Sequence, residues 1–315
     1  MKLTKLPRFA KSLLIKGQSK MTRVLYRWTN YVMKGRQQAI IAGLLFTVVP
    51  LFGWISNVII SLVTLRKGAK EGAIVALWVI LPVVVAASLG NPWIVLYNIV
   101  GGSLFVYLLS LVLRQTQSWK KVLEVGIFLG LLVVLLVHLL IPDVQALWVK
   151  QLTHYALMIK TQFNFTVDTN QLQLFTKFAT GFQVALLSLG ALVNLIFARG
   201  LQSILYNPGQ LRPEIEAVRL SQLDALVLLV IAIAGLQKFA LAQDALPVIL
   251  LAFILAGLSV LHALAHLKDR LFKGWFLLFY GLLIVFFPYL AILLVVVAIT
   301  DSYLDFRHRL LRKSD

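Results

Sequence analysis

Eight long apolar stretches constrain this chain more than any other feature. They are Ala39–Thr64, Gly72–Leu89, Pro92–Leu113, Val122–Ile141, Leu172–Ala198, Gln222–Ala242, Ala245–His266 and Gly274–Thr300. A helix needs about 20 apolar residues to cross a hydrocarbon core of roughly 30 Å. The six middle stretches suit one crossing each. Composition leaves little choice of solvent: of 315 residues, 60% are hydrophobic and 13% charged, with a mean hydropathy of +0.89. Soluble domains are about half apolar and about a quarter charged. A water-soluble fold of this length cannot hide that much apolar surface, so a single helical membrane domain is expected.

The first and last stretches, 26 and 27 residues long, each carry a central proline, Pro50 and Pro288. Proline removes a backbone donor and disfavours helix just before it. The halves Ala39–Val49, Leu51–Thr64, Gly274–Phe287 and Tyr289–Thr300 hold 11, 14, 14 and 12 residues. At 1.5 Å per residue each is about 16–21 Å long, short of a crossing. The alternatives are two re-entrant hairpins or two long, tilted, kinked helices.

The cations choose between them. If all eight stretches crossed once from an inside N-terminus, Arg66/Lys67/Lys70, Arg114/Lys120/Lys121, Arg199/Arg212/Arg219 and Lys268/Arg270/Lys273 would all lie outside. Cytoplasmic loops are the ones that carry excess Lys and Arg. If the end stretches enter and return on the cytoplasmic side, 26 of the 30 Lys/Arg share one face, leaving Lys150, Lys160, Lys177 and Lys238 elsewhere. The predicted fold class is therefore an all-α polytopic membrane protein. It has six full spans plus two proline-broken hairpins, about 8–10 transmembrane segments, and both termini cytoplasmic in a bacterial inner membrane. Irregular backbone at membrane depth is tolerated only inside protein or facing water. Pro50 and Pro288 are accordingly candidates for bounding a ligand cavity.

Residues 1–37 read as a basic arm, 38–306 as the membrane domain and 307–315 as a basic cytoplasmic tail. Met1–Arg36 has ten Lys/Arg, no acid and no continuous apolar core, unlike a cleaved signal peptide. Val24, Leu25, Trp28 and Val32 fall near one helical face, which suits an interfacial helix on anionic lipid; a disordered basic tail is the alternative. The net charge of +18 is concentrated in that arm and at the ends of apolar segments, which points to anionic headgroups and away from nucleic acid. The segment 144–171 holds Lys150, Gln151, His154, Lys160, Asn164, Asp168 and Asn170, with Leu147, Trp148, Leu152, Tyr155 and Ile159 at helical spacing. It is expected to form an amphipathic helix on the outer surface, as a lid over a cavity or a plain connector.

The loop 199–221 is the most distinctive. Asn207-Pro208-Gly209 is a turn signal, and Arg199 and Gln202 end the preceding helix. Pro213 can open a helix with Glu214 and Glu216 in its first turn, and Glu216 and Arg219 form an i,i+3 pair. The corner is either simply well capped or a docking surface for a cytoplasmic protein. In the second case Arg199, Gln202, Tyr206, Asn207, Pro208, Gly209, Glu214 and Arg219 would carry it. Asp301 and Asp305, spaced i,i+4 at the last exit, would join them.

These residues carry a resemblance. Arg199-Gly-x-Gln-x-x-Leu-Tyr-Asn-Pro-Gly209, with Glu214 and Arg219-Leu220 after it, resembles the YybS-like family of bacterial membrane proteins, a family of unknown function. Val63–Ala73, with its Arg66-Lys67-Gly68 and Glu71-Gly72-Ala73, and Asp301–Arg307 also resemble that family, and the likeness runs from about Gln38 to Arg309. The Arg-Lys-Gly turn is remotely similar to one in substrate-capture components of energy-coupling-factor vitamin transporters. That likeness implies a small-molecule-binding helical bundle and supplies no ligand residues. This chain is larger than those components, with an added basic arm and C-terminal hairpin.

Polar residues well inside the apolar stretches include Asn57, His138, Gln183, Asn194, Gln237 and Lys238. Such groups mark functional sites or merely join helices by hydrogen bonds. Asn57 and Asn194 are ligand-cavity candidates, Asn57 first because it lies in a broken element. His262 and His266, with Asp269 a turn on, have metal-ligand spacing but no third ligand, so a proton-sensitive interfacial pair is preferred and no metal or cofactor is expected. Cysteine is absent, as are Walker-A, Gly-x-Ser-x-Gly, His-Glu-x-x-His and Gly-x-Gly-x-x-Gly motifs. The expectation is a non-enzymatic, transport-related component that binds a small ligand and takes energy from a partner. A structural or assembly protein of the cell envelope is the alternative.

Overall fold

The computed structural model describes residues 20–49, 51–88, 102–164, 166, 168–267 and 274–305. Those residues form helices and short connections, with no strand among them. The helices are α1 (Lys20–Lys34), α2 (Arg36–Val48), α3 (Gly53–Lys67), α4 (Ala69–Ser88), α5 (Phe105–Thr116), α6 (Trp119–Leu140), α7 (Val144–Phe163), α8 (Thr169–Thr176), α9 (Ala179–Tyr206), α10 (Leu211–Glu216), α11 (Gln222–Leu236), α12 (Ala240–Leu267), α13 (Trp275–Val285) and α14 (Phe287–Leu304). Four of them, α6, α9, α12 and α14, are long and apolar enough to cross a membrane; α11 and α13 are shorter apolar helices. The all-α class expected from the apolar stretches is what the chain adopts.

Several boundaries differ from the hydropathy reading. The stretch Leu172–Ala198 is cut at Lys177–Phe178, and α9 then runs on to Tyr206. The stretch Gln222–Ala242 ends early, at a turn where Lys238 takes a left-handed φ of 65°. Residues 240–244 consequently belong to α12. Pro288 does not interrupt a helix but stands in the first turn of α14, where its missing N–H is not needed. Pro50, expected to break the first stretch, lies outside the described residues. The break itself is visible beside it, with Leu51 at φ 68°.

The chain divides into two compact units, Met1–Val122 with Leu187–Ile215, and Leu123–Leu186 with Glu216–Asp315. In the first, α2 and α3 fold back on each other. The Ser56 hydroxyl donates to the Gly43 carbonyl at 2.7 Å, and Thr47 donates to Ser56 at 2.9 Å. Helices α3 and α5 run side by side in the same direction. Asn57 accepts from Ser103 (3.0 Å), Ser61 meets Ser110 (2.7 Å), and Arg114 donates to the Leu65 carbonyl (2.7 Å). Around these polar joints Ile59, Ile60, Leu62, Val63, Val75, Val106 and Leu109 are fully buried. Gly68 turns the chain from α3 into α4 at φ 109°, a conformation that suits glycine. The face of α1 expected to lie in headgroups packs partly on protein: Val32 is buried and Trp28 meets Phe46 edge-on at 6.3 Å.

In the second unit α12 is the central helix, with Phe253 and Ile249 fully buried and Gly257 abutting the Leu294 backbone of α14. Val134 of α6, Val184 of α9 and Val248 of α12 form a buried apolar cluster. Ser221 and Asp224 make a reciprocal capping box at the start of α11. Near the C-terminal end of α12, His262 stacks on Phe276 of α13 at 4.4 Å and reaches the Tyr280 hydroxyl at 2.8 Å. Ser259 donates to the Val218 carbonyl there, and neighbouring Arg219 donates to the Asp301 and Ser302 carbonyls that end α14. The start of α13 and the end of α14 thus meet the same end of α12.

Candidate functional site

At the opposite end of α12 is a cavity of about 220 Å³ within the second unit. His138, near the C-terminus of α6, and Asp244, in the second turn of α12, line it together with Asp143, Gln145, Thr176, Lys177 and Gln243. Its size is below the roughly 300–1,000 Å³ of drug-sized sites, so it suits a small solute. Asp244 and His262 are eighteen positions apart on α12, about 27 Å at helical rise.

Asp244 is the centre of the site. Its residue is 3% exposed, which is exceptional for a carboxylate unless it is paired and hydrogen-bonded. The partners are present. The Gly181 amide donates to Oδ1 at 3.1 Å, the Thr180 side chain also bonds it, and His138 Nε2 stands 3.4 Å from Oδ2. Gly181 makes this possible, because a Cβ there would sit 1.6 Å from the Asp244 carbonyl oxygen. The other ring nitrogen of His138 is 3.0 Å from the Val134 carbonyl. A carbonyl only accepts, so Nδ1 is assigned as the protonated nitrogen on hydrogen-bond geometry.

The start of α7, in the segment 144–171, borders the same cavity. Asp143 caps α7 by accepting from the Ala146 amide at 2.8 Å, and the Trp148 indole donates to the Thr180 hydroxyl at 2.8 Å. Thr180 therefore connects α7 to the Asp244 carboxylate. Lys177 and Asp143 are exposed at the rim.

The residues singled out in the sequence fall elsewhere. Asn57 is half-buried and engaged with Ser103; Asn194 is buried within α9; Pro288 is exposed at the start of α14. None of the three lines this cavity. The corner residues pair among themselves. Arg199 forms an ion pair with Glu214 and donates to Gln202, and Glu214 also accepts from the Trp119 indole at 3.3 Å. Tyr206 lies beneath the Arg66 guanidinium, 4.0 Å from its ring centre. Arg219 pairs with Asp305 at 2.8 Å, while Asp301 is 1% exposed. Asn207, Pro208 and Gly209 form an exposed turn. No cluster of three His, Cys, Asp or Glu suited to a metal occurs among the described residues; the His266 side chain and Asp269 lie outside them.

The apolar stretches of the sequence include His138 but leave out Asp244. The reason is the boundary between two apolar stretches, which put Gln243 and Asp244 in a connecting loop. The signal that relocates them is Gly235-Leu236-Gln237-Lys238, a glycine with two polar residues close behind it, where the earlier helix ends six residues sooner than Ala242. No protein-family model, curated protein or solved structure matches the chain.

Proposed function

We propose that this chain is a polytopic inner-membrane protein of a non-enzymatic, transport-related kind that captures a small polar ligand in the His138–Asp244 cavity. One observation carries this reading: a nearly inaccessible carboxylate, hydrogen-bonded and facing a histidine, lines a solute-sized cavity at one end of a bundle of apolar helices. Ionisable groups in such bundles are expensive to bury, and they are functional candidates by default. The proposal keeps the ligand-binding role expected from the sequence and moves it from the broken helices to the outer end of α12.

The orientation follows from the cations. In the first unit, contacts at one end join loops of four regions. Arg36 binds Glu71 at 2.9 Å, Arg114 caps the end of α3, Arg66 covers Tyr206, and Trp119 and Arg199 share Glu214. In the second unit Arg219 lies at the end of α12 away from the cavity. Excess positive charge marks the cytoplasmic side, so the cavity faces outward. The fold-back of α2 on α3 supports a re-entrant first element beside full spans; at the other end α13 is too short to cross, while α14 is long enough to do so. The motif resemblance to YybS-like proteins is part of the same reading, as is the dependence on a partner for energy.

Thermal unfolding of the purified full chain against a panel of small cationic, anionic, zwitterionic and neutral solutes tests the proposal. At least one solute raises Tm in a saturable way in the native protein and fails to do so in Asp244→Ala. A panel without any saturable shift overturns it. The envelope-assembly alternative has the exposed Asn207–Gly209 turn in its favour, but Arg199, Glu214, Arg219 and Asp305 are already engaged within the chain.

A further inference from the structure

The geometry of the His138–Asp244 contact bears on where its protons sit. Nδ1 carries a hydrogen, because it faces the Val134 carbonyl. If the ring were neutral and the carboxylate ionised, Nε2 and Oδ2 would face each other at 3.4 Å with lone pairs only. In a buried setting that arrangement is unfavourable, since polar groups there have few compensating partners. One proton between the two atoms removes the conflict. It makes either an imidazolium–carboxylate pair or a neutral imidazole with a carboxylic acid, and the net charge of the pair is zero in both cases.

Other charges near the pair do not alter this. From the segment joining α6 to α7 comes Asp143, and from the junction of α8 and α9 comes Lys177; both are exposed at the rim and opposite in sign. Helix α9 contributes only neutral groups, the Thr180 hydroxyl and the Gly181 amide. Gln243 of α12 and Gln145 of α7 add neutral polar lining. Among the described residues, no other charged side chain lines the cavity.

On the reading that this cavity binds a ligand, we propose that the ligand is a small organic ammonium, taken up in exchange for the proton that His138 and Asp244 share. An ammonium N–H can donate to Asp244 Oδ2 in the place of that proton. His138 is then neutral, with Nδ1–H still bound to Val134 and Nε2 free to accept a second N–H of the same ammonium. The proton leaves to solvent. One positive charge enters and one departs, so the buried site stays neutral throughout, which avoids the cost of an uncompensated buried charge. The Gln145 and Gln243 amides suit a hydroxyl or other neutral polar group on the ligand.

Calorimetric titration of the purified full chain with ethanolamine, in two buffers of different ionisation enthalpy at one pH, counts the protons. Saturable binding with about one proton released per ethanolamine is expected. Affinity rises about tenfold per pH unit where the pair still holds its proton. Tetramethylammonium, a cation with no N–H, binds at least about tenfold more weakly. Asp244→Asn abolishes both binding and release; because that variant could also fail to fold, the two-buffer count on the native chain stands alone as a test. Ethanolamine bound without proton release overturns the exchange. If acetate or glycerol binds and ethanolamine does not, the ammonium assignment falls and the ligand-binding reading stands. If ethanolamine fails while the wider solute panel still raises Tm, only this inference falls. If no solute acts in either experiment, both fall.

Discussion

At the scale of single residues, close approach governs the site. Gly181 lets α9 come near enough to α12 for its amide to reach Asp244. Gly181→Ala puts a methyl group against backbone, not against a movable side-chain tip, so the helices must separate. Overpacking of this kind costs about 1–3 kcal/mol. The expected outcome is a lower Tm together with loss of solute-dependent stabilisation. Gly53, with nothing near its Cβ position, is the control, and Gly53→Ala leaves that stabilisation intact. A second residue-scale effect is pH-dependent. The Arg36 guanidinium, hydrogen-bonded to Glu71 outside the apolar stretch, holds that carboxyl below its ordinary range. A lowered folded-state pKa stabilises above the unfolded value and loses that contribution as pH falls through the folded one. Glu71→Gln therefore flattens the acid side of the stability profile, as read by Tm between neutral and acidic pH, and leaves neutral-to-alkaline behaviour of other groups alone.

At the scale of elements, hydroxyls and one shared acid hold helices in register. Ser61 and Ser110 are both fully buried and bond across α3 and α5. A double-mutant cycle with Ser61→Ala and Ser110→Ala is expected to give a coupling of about 0.6 kcal/mol and no more than about 2 kcal/mol, the range for such bonds between membrane helices. Glu214 matters more because two groups depend on it, the Arg199 guanidinium and the Trp119 indole. Glu214→Ala leaves the partly buried Arg199 with Gln202 but without its carboxylate partner. Hydrogen bonds to charged groups are worth about 1.5–3 kcal/mol. The α9–α10 corner should loosen accordingly, with faster proteolytic nicking at Asn207–Gln210 and a lower Tm. Unchanged nicking would mean that the ion pair does not hold the corner.

At the scale of the whole molecule, the question is which loops share a side. The chain has no cysteine, so each introduced one is a unique label. Lys67→Cys and Asn207→Cys are expected to resist a membrane-impermeant maleimide in intact cells and to react after permeabilisation. Gln145→Cys and Lys238→Cys should react from outside. Labelling of Lys67→Cys in intact cells would remove the re-entrant first element, because α3 would then end on the outer side. The same experiment fixes the direction of the cavity, since Gln145 lines it.

Much of this architecture was legible in the residues, and the physical reasons are specific. Apolar length and composition determined the all-α class, because a chain this hydrophobic must satisfy its backbone within helices. The cations and the turn at Asn207–Gly209 marked where helices end. The helix within 144–171 was readable from its 3.6-residue period and formed as α7, although Tyr155 and Ile159 of its expected apolar face stay exposed. Periodicity says nothing, however, about which distant residues meet. Arg199, Arg219 and Asp305 read as available for a partner, and only packing engaged them with Glu214 and the end of α14. Asp244 read as a loop residue, and only the early end of α11 brought it into α12. The absence of a side chain at Gly181 then carried it to within reach of an amide and a histidine that lie 63 and 106 positions away in the chain. The sequence by itself determined that this protein is built of apolar helices with their cations at the ends. The tertiary structure decided where a buried charge could be tolerated, because that depends on partners that no local pattern brings together.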